Sequence, residues 1–132
     1  MRLVRKLICL NVICLFFSCE KDTHNSQIEA FTYQEKSEVR FDVYVRLVDE
    51  WSGQEIPAGT LPGYGATNLE TGEIYFDSLY EAGLFESLPT GMYRFDARDG
   101  YFDGASSAIV EVSPENETPE GWIEVTLHYW SE

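Results

Sequence analysis

The chain has no cysteine beyond residue 19. Its three cysteines are Cys9, Cys14 and Cys19, so residues 20–132 offer no disulfide, thiol nucleophile or thiolate metal ligand. Small domains in oxidising compartments often depend on disulfides. A domain in this part of the chain must therefore be held together by its apolar core.

Long hydrophobic runs are also missing. The longest is Leu7–Phe17, eleven residues interrupted by Asn11, whereas a membrane-spanning helix needs about 20 residues. The run follows Arg2, Arg5 and Lys6 and precedes the small residue Ser18. This order predicts a secretory signal over residues 1–18 rather than a permanent membrane span.

Basic residues are scarce. The chain has nine Lys and Arg against 23 Asp and Glu, a net charge of −14. Removal of the predicted signal would leave six basic against 23 acidic residues, a net charge of −17. Such a surface repels phosphate backbones, which predicts no nucleic-acid partner. Acidity that keeps an exposed protein soluble explains this charge better than a specific cation-binding role.

Catalytic groups are few. The two histidines are His24 and His128, and a Ser-His-Asp arrangement would need His128 as its base without a nucleophile-elbow motif to support it. Abundant carboxylates give no acid-base pair by spacing alone. The sequence predicts that the protein is not an enzyme and binds no cofactor.

Alternating apolar residues are what the sequence does contain. From Val39 to Leu47 every second residue is apolar, which predicts a half-buried strand. Further strands are predicted at 73–77, 84–87, 92–98, 106–113 and 122–130, separated by turn residues. No segment has helical spacing over three turns. The pattern predicts an all-β fold, an antiparallel β-sandwich over residues 38–132.

Acidic residues cluster in one glycine-containing loop. Asp96, Asp99 and Asp103 could bring oxygen ligands around calcium, but their spacing does not follow the EF-hand pattern. Asp-Gly is also a common hairpin turn. The structural turn is the preferred interpretation, with calcium as the alternative and no metal predicted.

Aromatic residues in loops are the other candidates for a binding site. Trp51 and Tyr64, and Tyr101 and Phe102 beside Asp103, fall in predicted loops, where ligand contacts concentrate. Aromatic rings also dominate small cores, so packing remains the competing interpretation.

Residues 16–19, Phe-Phe-Ser-Cys, resemble the lipobox of bacterial lipoproteins in the loose form found in Bacteroidetes. This resemblance implies cleavage before Cys19 and diacylation of its sulfur. Glu20-Lys21-Asp22 is similar to the charged signals that send such lipoproteins to the outer cell face. Residues 19–37 would then be a lipidated tether, and the protein a surface-exposed outer-membrane lipoprotein.

Residues 83–101 contain Leu88-Pro89-Thr90-Gly91 followed by Met92-Tyr93 and, later, Gly100-Tyr101. This stretch resembles the carboxypeptidase-regulatory-like and Cna-B-like domains, which implies a transthyretin-like Greek-key sandwich of about seven strands. Gly83 replaces an aromatic position of that pattern, and the residues of a Cna-B isopeptide bond have no match. The motif identifies a fold better than a function.

Two functions remain open from the sequence. The first is a non-enzymatic, membrane-anchored module that binds another protein or assists assembly at the cell surface. The alternative is a carbohydrate-binding lipoprotein that uses loop aromatics to contact a polysaccharide. Both place the chain at a membrane through Cys19.

Overall fold

Strand β1 (Arg40–Asp49) forms where apolar and polar residues alternate. In the computed structural model, which describes residues 37–132, Phe41, Val43, Val45 and Leu47 are buried. Their polar neighbours face solvent, as a period of two requires. The predicted strand is thus confirmed except at Val39, which precedes β1 and is exposed.

Within residues 37–132, nine strands form two sheets. The strands after β1 are β2 (Glu55–Ile56), β3 (Tyr64–Asn68), β4 (Ile74–Phe76), β5 (Leu84–Pro89), β6 (Gly91–Ala97), β7 (Asp103–Ala105), β8 (Ala108–Val112) and β9 (Ile123–Ser131). Short 3-10 turns occupy Ala58–Thr60 and Pro114–Asn116. Sheet A has the order β2-β1-β9-β7 with β5 also on β1, and sheet B the order β4-β3-β6-β8. The all-β sandwich predicted from the sequence is confirmed.

The sandwich differs from the expectation in two ways. The described residues form nine strands rather than about seven, because β2, β4 and β7 are only two or three residues long. In addition, β1 and β9 pair in parallel, from Val43 opposite Ile123 to Asp49 opposite Tyr129. The remaining strand pairs are antiparallel. Sheet A is therefore mixed.

The core lies between the sheets and receives side chains from both. Phe85 of β5 and Phe95 of β6 meet edge to face, with ring centroids 5.5 Å apart. Burying a side chain of this size contributes about 1.5–3 kcal/mol. The buried residues of this core cluster are Phe41, Val43, Val45, Leu47, Leu61, Tyr64, Ala66, Phe85, Leu88, Tyr93, Phe95, Val112, Ile123, Val125 and Leu127.

The Leu-Pro-Thr-Gly turn connects the two sheets. Pro89 ends β5 in sheet A, and Gly91 begins β6 in sheet B with φ +154°, a conformation that favours glycine. The buried hydroxyl of Tyr93 donates a hydrogen bond to the carbonyl of Pro89 at 3.0 Å. The motif is thus a crossing between sheets, fixed from inside by the tyrosine two residues beyond the glycine.

Candidate functional site

The outer faces of the two sheets differ in polarity. The polar side chains on the outer face of sheet A are Arg40, Asp42, Arg46, Glu124, Thr126 and His128. The half-buried rings of Tyr44 and Trp122 meet edge to face beside them, with centroids 5.3 Å apart. Sheet B presents four exposed apolar side chains, Ile74, Phe76, Met92 and Ile109, which we name the apolar face. Exposed apolar residues grouped on one surface mark interaction sites in soluble proteins.

Strand register brings these residues together. Ile74 lies opposite Thr67, which lies opposite Arg94, which in turn lies opposite Ile109. These four residues form one row across sheet B. The Arg94 side chain lies between Thr67 and Ile109 in this row and donates to Asp96 at 2.8 Å, so a charged pair is held on the same face as the apolar side chains.

A groove lies beside Phe76. The residue opposite Phe76 on β3 is Gly65, and Asp96 lies opposite Gly65 on β6. Because glycine has no side chain, the surface between Phe76 and Asp96 is left open as a groove of about 350 Å³. Its lining includes Leu79 and Arg98. The groove thus combines an apolar wall with the Arg98 guanidinium and the Asp96 carboxylate. This combination suits a ligand that has an apolar side chain on a polar backbone.

The segment between β4 and β5 raises two apolar side chains from this surface. Leu79 is 98% and Tyr80 99% exposed. Asp77 fixes the segment, since one of its carboxylate oxygens accepts from the Tyr64 N–H at 3.0 Å and the other from the Gly83 N–H at 2.9 Å. The exposed pair therefore projects from an anchored base.

Burial and acidic neighbours keep two nearby phenols protonated. Burial, with the Asp77 charge as a second cause, raises the pKa of Tyr64 to about 12. The Tyr75 hydroxyl donates a hydrogen bond to Glu73 at 2.8 Å, and this bond raises the pKa of Tyr75 to about 12. Both hydroxyls act as donors at neutral pH, and neither is a base for catalysis.

The loop aromatics predicted from the sequence divide into two groups. Trp51 is 86% and Tyr101 94% exposed, and Phe102 meets the Tyr101 ring edge to face at 5.2 Å. Tyr64, in contrast, begins β3 and is 3% exposed, with its hydroxyl bonded to the Ala58 carbonyl at 2.6 Å. Tyr64 is a core residue, and its placement in a ligand-binding loop is corrected.

Topology brings the exposed loop aromatics to one end of sheet A. The Glu50 N–H, next to Trp51, donates to the Tyr129 carbonyl, and the Glu132 N–H donates to the Phe102 carbonyl. Both connections are made to the last residues of the chain around the end of β9. Trp51, Tyr101 and Phe102 therefore lie at the same end of the sheet.

The acidic loop is organised by internal hydrogen bonds. Asp96 is paired with Arg94, and Asp103 accepts from the Tyr129 hydroxyl at 3.0 Å. The Gly100 N–H donates to the Asp103 carbonyl, which closes the turn. Within residues 37–132 no group of three or more His, Cys, Asp or Glu is placed to hold a metal ion.

The predicted signal, tether and lipidation site, including Cys19, lie outside the described residues. Among residues 37–132 no helix has the length and apolar character needed to cross a membrane. Anchoring through Cys19 stays a prediction.

Sequence reasoning missed the apolar face. The signal was present in Ile74-Tyr75-Phe76, where apolar residues occupy both faces of a strand. Tyr75 packs inward against Tyr93, with ring centroids 6.0 Å apart. Ile74 and Phe76 must then point outward, where an unpartnered strand would be expected to carry polar residues.

Comparison of the chain with protein-family models, with curated proteins and with solved structures finds no match. The apolar face and the groove beside Phe76 are therefore the features from which a function is inferred.

Proposed function

We propose that the protein is a non-enzymatic surface lipoprotein, anchored through Cys19, whose sandwich binds another protein in a cell-surface assembly. The observation that supports this proposal most directly is the apolar face. Phe76 is 72% and Ile109 63% exposed on the outer side of one sheet, while the other sheet presents charged side chains. Solvent exposure of such a face costs solubility, and a partner that covers it removes that cost.

The surroundings of the apolar face fit a protein partner. Exposed Leu79 and Tyr80 extend the apolar surface beyond β4, and the Arg94–Asp96 pair adds polar groups within it. Protein interfaces combine apolar and aromatic anchors with arginine and a polar rim in this way. The groove beside Phe76 offers a pocket for one anchoring side chain of the partner.

The test is crosslinking on intact cells followed by affinity purification of the full chain. We expect Phe76→Ser combined with Ile109→Ser to abolish a crosslinked complex that the unmodified chain forms. Thr126→Ala combined with Glu124→Ala, on the outer face of sheet A, is the matched control and should leave the complex intact. Recovery of the monomer alone from the unmodified chain would contradict the proposal, as would equal loss of the complex in both double variants.

A second candidate function is carbohydrate binding at the end of sheet A. It is supported by three exposed aromatic side chains, those of Trp51, Tyr101 and Phe102, at one end of the sheet. Aromatic rings on loops of a rigid scaffold can stack on saccharides. Glycan-array binding that is lost in Trp51→Ala or Tyr101→Ala would support this function. Absence of binding across a broad set of polysaccharides would reject it.

A further inference from the structure

Strand β4 is one edge of sheet B, and within residues 37–132 no strand pairs with its outward backbone groups. Hydrogen bonds join Asn68 N–H to the Glu73 carbonyl and Asp77 N–H to the Tyr64 carbonyl. Pairs in an antiparallel ladder alternate between bonded and non-bonded. With Thr67 opposite Ile74 and Gly65 opposite Phe76, the N–H and C=O groups of Ile74 and Phe76 therefore point away from β3.

Other edges of the described sandwich are partly covered. The Ser78 N–H donates to the Leu84 carbonyl at 2.7 Å, which occupies an outward group of β5. The Asn116 side-chain amide donates to the Glu111 carbonyl at 2.9 Å, which occupies one outward group of β8 at the opposite edge of sheet B. Among the described residues, no backbone hydrogen bond beyond the β3 ladder involves Ile74 or Phe76.

Exposed apolar side chains accompany the open backbone of β4. Ile74 and Phe76 are both exposed on the outer face, and Leu79 and Tyr80 follow them. Natural edge strands usually carry charge, proline or a bulge that prevents pairing with another chain. The three residues of β4 carry none of these, and the shortness of the strand limits pairing with an added strand to the outward groups of Ile74 and Phe76.

The charge of the residues around β4 indicates which kind of strand could pair with this edge. Residues 69–81 contain Glu70, Glu73, Asp77 and Glu81 and no Lys or Arg. A second copy of this chain would bring the same acidic residues against them, which disfavours pairing of β4 with itself. An extended segment with basic residues beside its apolar positions would instead be attracted.

We propose that the β4 edge binds an extended, basic segment of another protein, which adds to sheet B as a further strand. This proposal rests on the proposed protein-binding function and specifies its site. Backbone groups of the segment bond to Ile74 and Phe76, and its apolar side chains pack on Phe76 and into the adjacent groove. Its Lys or Arg side chains lie near Glu70, Glu73 and Glu81.

The experiment uses a displayed library of short random peptides selected on the full chain in detergent. We expect enriched peptides that alternate apolar residues, contain Lys or Arg and lack proline between them. Ile74→Pro removes the outward N–H without breaking the β3 ladder and should weaken peptide binding about tenfold or more. Glu111→Pro, which removes an outward N–H from β8 at the opposite edge of the same sheet, is the matched control and should bind as the unmodified chain does.

Amide hydrogen exchange in the unmodified chain keeps the proposal testable if Ile74→Pro does not fold. An enriched peptide should slow exchange at the Ile74 and Phe76 amides and leave β8 unchanged. Three results would overturn the proposal. They are enriched peptides that lack the alternating basic pattern, unchanged hydrogen exchange at both amides, and a dimer that forms through β4 and excludes the peptide. The two proposals can be distinguished. If Phe76→Ser combined with Ile109→Ser abolishes the cellular complex but the peptide experiment shows no strand addition at β4, the proposed protein-binding function is retained and the partner binds elsewhere on the apolar face.

Discussion

At the residue scale, the hydroxyl of Tyr64 shows how one buried polar group is satisfied. It donates to the Ala58 carbonyl at 2.6 Å while its ring packs in the core. Among residues 37–132 no buried side-chain nitrogen or oxygen lacks a hydrogen-bond partner. A core without disulfides depends on such satisfaction, because an unpaired buried polar group costs about 1–3 kcal/mol.

Tyr64 also predicts a pH dependence. Its pKa in the folded chain is raised from 10.0 to about 12, with burial as the main cause. A raised pKa means that the neutral phenol favours the folded state, so this stabilisation is complete below pH 10 and is lost as pH rises towards 12. We expect the free energy of unfolding, measured with urea, to fall over that interval.

The variant Tyr64→Phe isolates this contribution. At neutral pH it should lower the free energy of unfolding by about 1 kcal/mol, because the hydrogen bond to Ala58 is lost. Between pH 10 and 12 its stability should fall less steeply than that of the unmodified chain. Tyr101→Phe, at an exposed tyrosine, is the control and should change neither quantity. An unchanged slope in Tyr64→Phe would contradict the assignment.

At the scale of single elements, β7 depends on a glycine. A Cβ atom added to Gly104 would lie 2.6 Å from Cζ2 of Trp130 and would also meet the Asp99 carboxylate. Gly104 is paired with Trp130 in the β7–β9 ladder, so neither strand can move apart without losing that pairing. The ring of Trp130 therefore covers a position where no side chain fits.

Gly104→Ala should destabilise the fold by about 1–3 kcal/mol, the usual cost of overpacking. Urea unfolding followed by tryptophan fluorescence measures both the loss and the displacement of Trp130. Gly59→Ala is the matched control, since a Cβ there meets only Ala82 at 3.9 Å and should be tolerated. Equal stability of the two variants would contradict this prediction, since it would show that the Trp130 ring moves aside with little loss of folding free energy.

Elements with strict alternation could be predicted from the sequence, and others could not. In β6, which the sequence predicts as a strand over 92–98, alternation puts Tyr93 and Phe95 on one face and Arg94 on the other, and the structure buries the first two and exposes the third. Strand β3 was missed because Pro62, Gly63 and Gly65 suggested a break, although β3 is an inner strand of sheet B. Its burial of Tyr64, Ala66 and Asn68 comes from strands on both sides rather than from its own propensity.

The pairing of strands that are distant in the sequence could not be predicted either. The parallel ladder of β1 and β9 joins residues about 80 positions apart, and local patterns specify neither partner nor direction. The candidate site at β4 could not be predicted for the same reason, because it also depends on which strands pair. Ile74 and Phe76 become an edge only because β3 takes one side of the strand and nothing in residues 37–132 pairs with the other.

At the scale of the whole molecule, polarity and charge are distributed unevenly. The chain carries a net charge of −14, yet the outer side of sheet B exposes four apolar residues. Like charge opposes association of copies with one another, so the acidic surface limits non-specific contact through the apolar face. A basic partner is attracted by the same charge, which gives selectivity to a surface that would otherwise favour any apolar contact.

Attachment to a membrane is the remaining property of the whole molecule, and Cys19 is the residue on which it is predicted to depend. A thioether-linked diacylglycerol would bring two acyl chains, enough for stable anchoring, whereas one chain binds only reversibly. In a bacterial host fed an alkyne-tagged fatty acid, the unmodified chain should incorporate the tag, and Cys19→Ala should lose it. Cys14→Ala, which changes a cysteine within the predicted signal, is the matched control and should retain it. Tag incorporation in Cys19→Ala would contradict lipidation at this residue, and it would leave the sandwich without the anchor on which its proposed surface location depends.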